Sequence, residues 1–230
     1  PNNIYETCGS VFWVDLNHRF LQLWPDKELY AAEMEKSLYN IVFASQGPDG
    51  CIRYFNHMNQ GKDRPGRYNT CCEIQATMLF GQLPQYIYML RQDGVTVNLF
   101  AASSVDFCVE ERPYALQMET AFPYEETVTM KVSAPQGGRM ALRIRIPSWL
   151  QANAVIRVTG RDAAEGQPGS YVLLDREWTQ GDTVSLALPI AFTTEAYTGE
   201  NRVPGCVRAA VLYGPLLMAV QGPMSEGVYQ

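Results

Sequence analysis

Apolar residues recur at helical spacing over residues 1–90 of the chain. The first stripe consists of Ile4, Cys8, Val11, Phe12, Leu16, Phe20 and Leu23. The second follows Trp24-Pro25-Asp26 and consists of Tyr30, Met34, Leu38, Ile41 and Val42. A spacing of three or four residues brings each set onto one helical face, so we predict two helices, the second with Asp26 as its N-cap. We also predict a short strand over 51–55, a polar loop over 56–70 and a third helix over 73–83.

Alternation of apolar and other residues replaces helical spacing after Pro84. Residues 86–90 and 95–100 flank Asp93-Gly94 and predict a β-hairpin with a primed turn. Further strands are predicted over 127–134, 139–146, 155–159, 170–175, 184–188, 191–197 and 207–213. Because helices come first and strands afterwards, the predicted fold class is α+β, with an antiparallel β-sandwich over 91–230.

One predicted strand carries arginines on a single face. Arg139, Arg143 and Arg145 alternate with the apolar residues at 140, 142, 144 and 146. In an antiparallel sheet one face commonly packs on the core while the other meets water. We therefore interpret the arginine face of this strand as solvated.

Composition narrows the classes of partner. The 230 residues are 47% hydrophobic and carry a formal net charge of -6, which argues against binding to nucleic acid or to an anionic membrane surface. No apolar run approaches the ~18 residues that a transmembrane helix needs. The chain starts at Pro1 and stops at Gln230 within patterned sequence, so we expect a piece of a longer protein whose compartment is undetermined.

Cysteines supply the strongest candidate chemistry. Glu6-Thr7-Cys8 together with Cys71-Cys72 offers three thiols and one carboxylate, a sufficient set for tetrahedral zinc. Residues two apart on a helix point about 200° apart, so Glu6 and Cys8 can share a metal only if Glu6 precedes the helix and Cys8 lies in its first turn. Thr7 as the N-cap fits that arrangement. The alternative is that these are buried, reduced cysteines, and the place of Cys8 on an apolar stripe favours it.

Several motifs in order resemble glycoside hydrolase family 127, the β-L-arabinofuranosidase-like proteins. They are the segments 5–20, 30–40, 70–72, 86–100, 142–149, 173–182 and 211–216. The resemblance implies that residues 1–90 are the C-terminal helices of an (α/α) barrel catalytic domain. It also implies that 91–230 form a β-sandwich, truncated at its end.

The same resemblance implies a function. The chain would be a fragment of a retaining glycoside hydrolase that acts on L-arabinofuranosides or a related sugar. Glu6, Cys8, Cys71 and Cys72 would bind zinc, and Cys71 would be the nucleophile. The family's acid/base glutamate lies upstream of Pro1, so the isolated fragment is expected to lack it.

The sequence departs from the family pattern around the cysteine pair. Glu73-Ile74-Gln75 replaces Pro-Pro-Asn, and Asn69 stands where relatives often carry a third cysteine. Glu73 is either a carboxylate at a helix start or a contact to substrate or metal. His57 is either a sugar-pocket residue or an exposed loop histidine. Four aromatic residues either stack on sugars or pack in the protein, namely Trp13, Trp24, Tyr54 and Tyr68.

Two other functions stay open at this point. One is a non-catalytic carbohydrate-binding or structural domain with structural cysteines. The other is a thiol-redox protein, in which Cys71 would pair with Cys8 or Cys51.

A few helices alone cannot close a barrel, so their apolar faces should be exposed. We expect these faces to meet a second copy of the chain or the N-terminal part of the same protein.

Overall fold

The structure is a computed structural model that describes residues 4–57, 70–198, 205 and 207–219. Its three α-helices are α1 (Thr7–Leu23), α2 (Glu28–Ser37) and α3 (Cys71–Ile87). A π-helical turn over Leu38–Val42 and a 3₁₀ turn over Phe43–Ser45 extend α2. The three predicted helices are therefore confirmed, whereas most of the predicted loop, 58–69, lies outside the described residues.

Two predicted helix starts are wrong. Thr7 is the first residue of α1 and not its cap, because the extended residue Glu6 (φ -81°, ψ 131°) precedes the helix. Asp26 lies two residues before α2, and its carboxylate pairs with Arg91 at 2.9 Å. In both places a contact to a distant segment replaces the local cap that the residue type favours.

Two short strands lie beside the start of α1. They are β1 (Ile4–Glu6) and β2 (Phe55–His57), which pair in antiparallel register with Tyr5 opposite Asn56. The strand predicted over 51–55 therefore lies at Phe55–His57 instead. This pairing holds the segment before α3 against the segment before α1.

The remaining strands build the sandwich. In chain order they are β3 (Tyr88–Arg91), β4 (Gly94–Val97), β5 (Ser103–Val109), β6 (Arg112–Thr120), β7 (Thr127–Ser133), β8 (Gly138–Ile146), β9 (Ala154–Val158), β10 (Arg161–Gly166), β11 (Ser170–Trp178), β12 (Thr183–Ala187), β13 (Phe192–Ala196), β14 (Ala209–Tyr213) and β15 (Leu216–Met218). A six-stranded sheet has the order β10-β9-β12-β7-β6-β5, a four-stranded sheet β11-β8-β4-β3, and a three-stranded sheet β13-β14-β15. The α+β class is confirmed, and the strands are antiparallel except for β4, which runs parallel to β8.

The predicted hairpin forms, but its turn differs from the prediction. The loop between β3 and β4 is Gln92-Asp93, and neither residue has positive φ. Gly94 instead begins β4 with φ 155°, where an added Cβ would lie 1.9 Å from the carbonyl oxygen of Ala141. Close approach of β4 to β8 therefore requires a glycine at position 94.

A primed turn occurs instead at Glu110-Glu111, which joins β5 to β6 and has φ values of 49° and 66°.

One apolar core fills the sandwich. Met140, Leu142, Ile144 and Ile146 of β8 are buried in it together with residues of β7 and β12 from the six-stranded sheet. Trp178 of β11 is fully buried there, and its indole N–H donates to the carbonyl of Met140 at 2.8 Å. Alternation along β8 thus identified the core face correctly.

The other face of β8 contradicts the prediction of a solvated arginine row. Arg145 is 0% exposed, and its guanidinium lies 2.7 Å from Glu28 and 3.1 Å from Glu35, both on α2. The Arg143 side chain is only 15% exposed beside Asp93, and of the three arginines only Arg139 is largely exposed. Helix α2 packs over the end of β8 that carries Arg145, and this part of the strand face is therefore shielded from water.

Candidate metal centre

Three local elements bring the predicted metal ligands together. Glu6 ends β1, Cys8 lies in the first turn of α1, and Cys71-Cys72 start α3. One ligand atom from each of these four residues lies within 4.8 Å of every other. Residues 63 positions apart or more in sequence therefore meet at the adjoining starts of two helices.

The distances suit a tetrahedral ion. The Cys8 N–H donates to Cys72 Sγ at 3.4 Å, and Cys72 Sγ donates to a Glu6 carboxylate oxygen at 3.8 Å. A Zn–S bond of about 2.3 Å in tetrahedral geometry separates neighbouring sulfur atoms by about 3.8 Å. The Cys72 sulfur and the Glu6 oxygen lie at about this spacing, and thiolate plus carboxylate is a donor set that zinc accepts.

Electrostatics in the cluster are unfavourable without a cation. Burial raises the pKa of the Cys8 thiol, and hydrogen bonding with Cys72 raises it further. Burial likewise raises the pKa of Cys72. Hydrogen bonds from Cys8 and Tyr54 lower the pKa of Cys71, so the cluster favours its negative charge on this sulfur. A divalent cation is needed before all three thiols lose their protons together.

Accessibility separates the three thiols. Cys8 and Cys72 are buried, whereas Cys71 is exposed, as is Glu6. Cys71 is also the first residue of α3, where the positive end of the helix dipole favours a thiolate. Cys71 is therefore the thiol of the cluster that a molecule in solution can reach.

Tyr54 is a neighbour of the cluster that the sequence does not single out as such. Cys71 Sγ and its phenol oxygen lie 3.9 Å apart in a hydrogen bond, and this bond raises the pKa of Tyr54 to about 12. The sequence presents Tyr54 only as a candidate for stacking on sugars. Its place beside Cys71 depends on the pairing of β1 with β2, which no periodicity in the sequence reveals.

Glu73 and His57 lie outside the group of four ligands. Glu73 accepts a hydrogen bond from the Thr70 N–H at 3.0 Å as part of a capping box, which is the helix-start role considered for it. His57 lies at the end of β2, opposite Ile4. Asn69 and Tyr68 lie outside the described residues.

Four of the cysteines that the structure describes are free thiols, namely Cys8, Cys71, Cys72 and Cys108. The pairing of Cys71 with Cys8 or Cys51 that a thiol-redox protein would use is thus not formed. Cys206 lies outside the described residues. Among the described helices none is long and apolar enough to cross a membrane.

Family models match most of the chain. The model of the GH127 β-L-arabinofuranosidase catalytic domain matches residues 1–82, and the model of the GH127 middle domain matches residues 94–190. No curated protein sequence matches. The division of this chain at residue 90 stays a prediction.

Solved structures share the fold over nearly the whole chain. Ara127N, a GH127 β-L-arabinofuranosidase from Geobacillus stearothermophilus T6, is 27% identical with a TM-score of 0.82, over 94% of this chain and 37% of its own. A protein described as a glycoside hydrolase is 25% identical with a TM-score of 0.80, over 94% of this chain and 38% of its own. A GH127 β-arabinofuranosidase is 24% identical with a TM-score of 0.81, over 94% and 37%.

This chain spans less than two fifths of the length of those three proteins. Within that span, two domain models of one family match consecutive segments, and the fold agrees over 94% of the chain. The chain therefore belongs to glycoside hydrolase family 127.

Proposed function

We propose that this chain supplies the metal–thiolate side of the active site of a retaining glycosidase. Zinc is held by Glu6, Cys8, Cys71 and Cys72, and Cys71 is the nucleophile. The substrate is an L-arabinofuranoside or a related sugar, as the name of the Geobacillus protein indicates for that relative. The observation that carries the proposal is the exposed Cys71 thiol within a cluster whose other thiols are buried.

The reaction proceeds in two displacements at the anomeric carbon. The Cys71 sulfur attacks this carbon, and the S–C bond forms while the glycosidic C–O bond breaks. A general acid donates a proton to the departing oxygen, then accepts one from water as the water oxygen attacks the same carbon. The S–C bond breaks with its electron pair returning to sulfur. Two inversions leave the configuration retained.

The residues around Cys71 prepare its sulfur for attack. Zinc, when bound, keeps the thiols deprotonated near neutral pH. Cys8 and Cys72 hold their side of the cluster inside the protein, which leaves the Cys71 sulfur facing outward. The Tyr54 phenol can donate to that sulfur once it is a thiolate, and so orient it. The resemblance assigns the general acid to a position upstream of Pro1, so turnover belongs to the longer protein.

One observation favours a second candidate function. Four protein donors are enough to fill all four positions around a zinc ion, and such a closed set would be typical of a structural site. In that case the chain is a non-catalytic, carbohydrate-binding or structural domain. The two functions differ in whether the Cys71 sulfur ever bonds to sugar.

The decisive experiment replaces Cys71 by serine in the longer protein that contains this chain. We expect Cys71→Ser to lower turnover of an aryl L-arabinofuranoside on the order of a thousandfold or more, while circular dichroism shows that the protein still folds. Cys108→Ser, at an exposed thiol on β5, is the matched control and should retain full activity. Near-normal turnover by Cys71→Ser would show that the metal centre is structural.

A rapid-quench measurement tests the covalent step by itself. During turnover of a slow substrate, mass spectrometry should find one pentose on the peptide that contains Cys71. A pentose attached to a different residue would refute the nucleophile assignment while leaving the glycosidase activity intact.

A further inference from the structure

We propose that Thr7 is a positioning residue for the metal centre, acting through Glu6 and Cys8 on either side of it. The inference rests on the proposed metal centre and adds residues that touch neither metal nor substrate. Thr7 is 0% exposed, although threonine at a helix start commonly meets water. Its side chain is therefore committed to the protein interior.

Thr7 makes three hydrogen bonds to one short segment. Its N–H donates to the carbonyl of Tyr54 at 3.0 Å, and its hydroxyl donates to the carbonyl of Arg53 at 2.7 Å. The hydroxyl oxygen also accepts from the side-chain amide of Asn56 at 3.1 Å. Asn56 is itself buried and lies opposite Tyr5 in the pairing of β2 with β1. Both the main chain and the side chain of Thr7 are thus tied to residues 53–56.

These bonds solve a geometric problem at the ligands. Residues two apart on a regular helix point about 200° apart, so Glu6 and Cys8 cannot both reach one ion from within α1. The chain changes from strand to helix between Glu6 and Thr7, which lets both side chains reach the same cluster. Hydrogen bonds at Thr7 hold this change of direction at the one residue between the two ligands.

The same segment links the two halves of the cluster. The Tyr54 carbonyl accepts the Thr7 N–H, and the Tyr54 phenol contacts the sulfur of Cys71, which is the first residue of α3. Displacement of Thr7 therefore shifts Glu6 and Cys8 relative to Cys71 and Cys72. Outer groups that orient metal ligands in this way typically change metal affinity 10–100-fold when removed.

The test measures binding of Co²⁺ and Zn²⁺ to the 230-residue chain. Thr7→Val keeps the shape of the side chain and removes its hydroxyl. Thr7→Ser keeps the hydroxyl, and Asn56→Ala removes only one of the three bonds. Thr96→Val is the matched control, because Thr96 is equally buried on β4 and its hydroxyl has no hydrogen-bond partner among the described residues.

We expect Thr7→Val to bind Co²⁺ about tenfold more weakly or worse, with altered visible and sulfur-to-metal charge-transfer bands. Thr7→Ser should recover the affinity and the spectrum, Thr96→Val should retain both, and Asn56→Ala should fall between. If Thr7→Val does not fold, a folded Asn56→Ala with weaker binding still supports the proposal.

Three results would overturn it. Thr7→Val with the affinity and spectrum of the unaltered chain would remove the role of Thr7 and leave the metal centre standing. Thr7→Ser as weak as Thr7→Val would show that the hydroxyl is not the cause. An unaltered chain that binds neither ion would overturn the proposed metal centre, and the role of Thr7 with it.

Discussion

Arg145 and Glu28 form an ion pair at 2.7 Å in which neither side chain is more than 3% exposed. Arg145 lies on β8 of the sandwich and Glu28 begins α2, so the pair joins the helical part to the sheet. Glu35, about two turns further along the same face of α2, lies 3.1 Å from the same guanidinium and also accepts the Trp149 indole N–H. Burial alone would lower the pKa of Arg145, but the charges of Glu35 and Glu28 raise it above its ordinary value.

Replacing Arg145 should be costly. Arg145→Met leaves two buried carboxylates without their cation, which typically destabilises a protein by about 3–5 kcal/mol. Urea unfolding followed by circular dichroism measures the change. Arg139→Met is the control on the same strand, because Arg139 is 69% exposed in its pair with Asp175, and such pairs contribute about 0–1 kcal/mol. Equal losses for the two variants would contradict a structural role for the buried pair.

Zinc should stabilise the chain through its cysteines. An ion at 100 times its dissociation constant adds about 2.7 kcal/mol to the free energy of unfolding. We expect zinc to raise the melting temperature of the unaltered chain and of Cys108→Ala, and a strong chelator to reverse this. Cys72→Ala should show no such rise, because it removes a fully buried ligand. A similar rise in Cys72→Ala would mean that zinc binds elsewhere.

Removal of the Tyr54 hydroxyl should slow catalysis without loss of metal. In the longer protein, Tyr54→Phe should lower turnover about ten- to a hundredfold, since a hydrogen bond to a charged group contributes about 1.5–3 kcal/mol. Metal analysis should give the zinc content of the unaltered protein. Tyr124→Phe, at a tyrosine that is largely exposed, is the control. Unchanged turnover in Tyr54→Phe would separate this phenol from the reaction.

His18 should make stability depend on pH. Burial lowers its pKa below the ordinary value near 6.5, and the charge of Asp15 opposes this only in part. The unfolded chain then takes up a proton first as pH falls, so folding stability should decrease below about pH 6.5. Urea midpoints at pH 7.5 and 5.5, with a chelator present, should differ less in His18→Gln. A pH response in His18→Gln equal to that of the unaltered chain would assign the effect to other groups.

The helical part should associate through its apolar surface. Phe12 on α1 and Met78 on α3 are 56% and 54% exposed, and Leu16 and Ile74 on the same helices are exposed as well. Sedimentation of the 230-residue chain should show dimers or larger species. The double variant Phe12→Gln and Met78→Gln should shift the distribution toward monomer. A monomeric unaltered chain at high concentration would contradict this expectation.

Spacing predicted the helices better than their ends. The two stripes correspond to α1 and α2, because a helix turns by a constant angle and its buried face repeats in sequence, and the third predicted helix corresponds to α3. Thr7 and Asp26 did not cap their helices, since each makes a contact with a residue distant in sequence. Strands β5, β6 and β10 were not predicted, although residues along β5 and β6 alternate between exposed and more buried positions.

Residue types alone identified the four candidate ligands of the metal centre, and the resemblance to the family motifs assigned their roles. The structure brings those four together and leaves Glu73 at a helix cap. Tyr54 and the bonds of Thr7 could not be found in the same way. Their importance depends on which segment lies opposite the start of α1, and the register of β1 with β2 decides that.

Arg145 shows where the two kinds of information divide. The sequence by itself determined the α+β order, the core face of β8 and a set of thiols able to bind zinc, because periodicity and residue chemistry are local properties. Tertiary structure alone decided that Arg145 is buried under α2, that β4 runs parallel to β8, and that Cys71 is the exposed thiol. Burial of a polar group depends on what packs over it, and that partner lies over a hundred residues away in this chain.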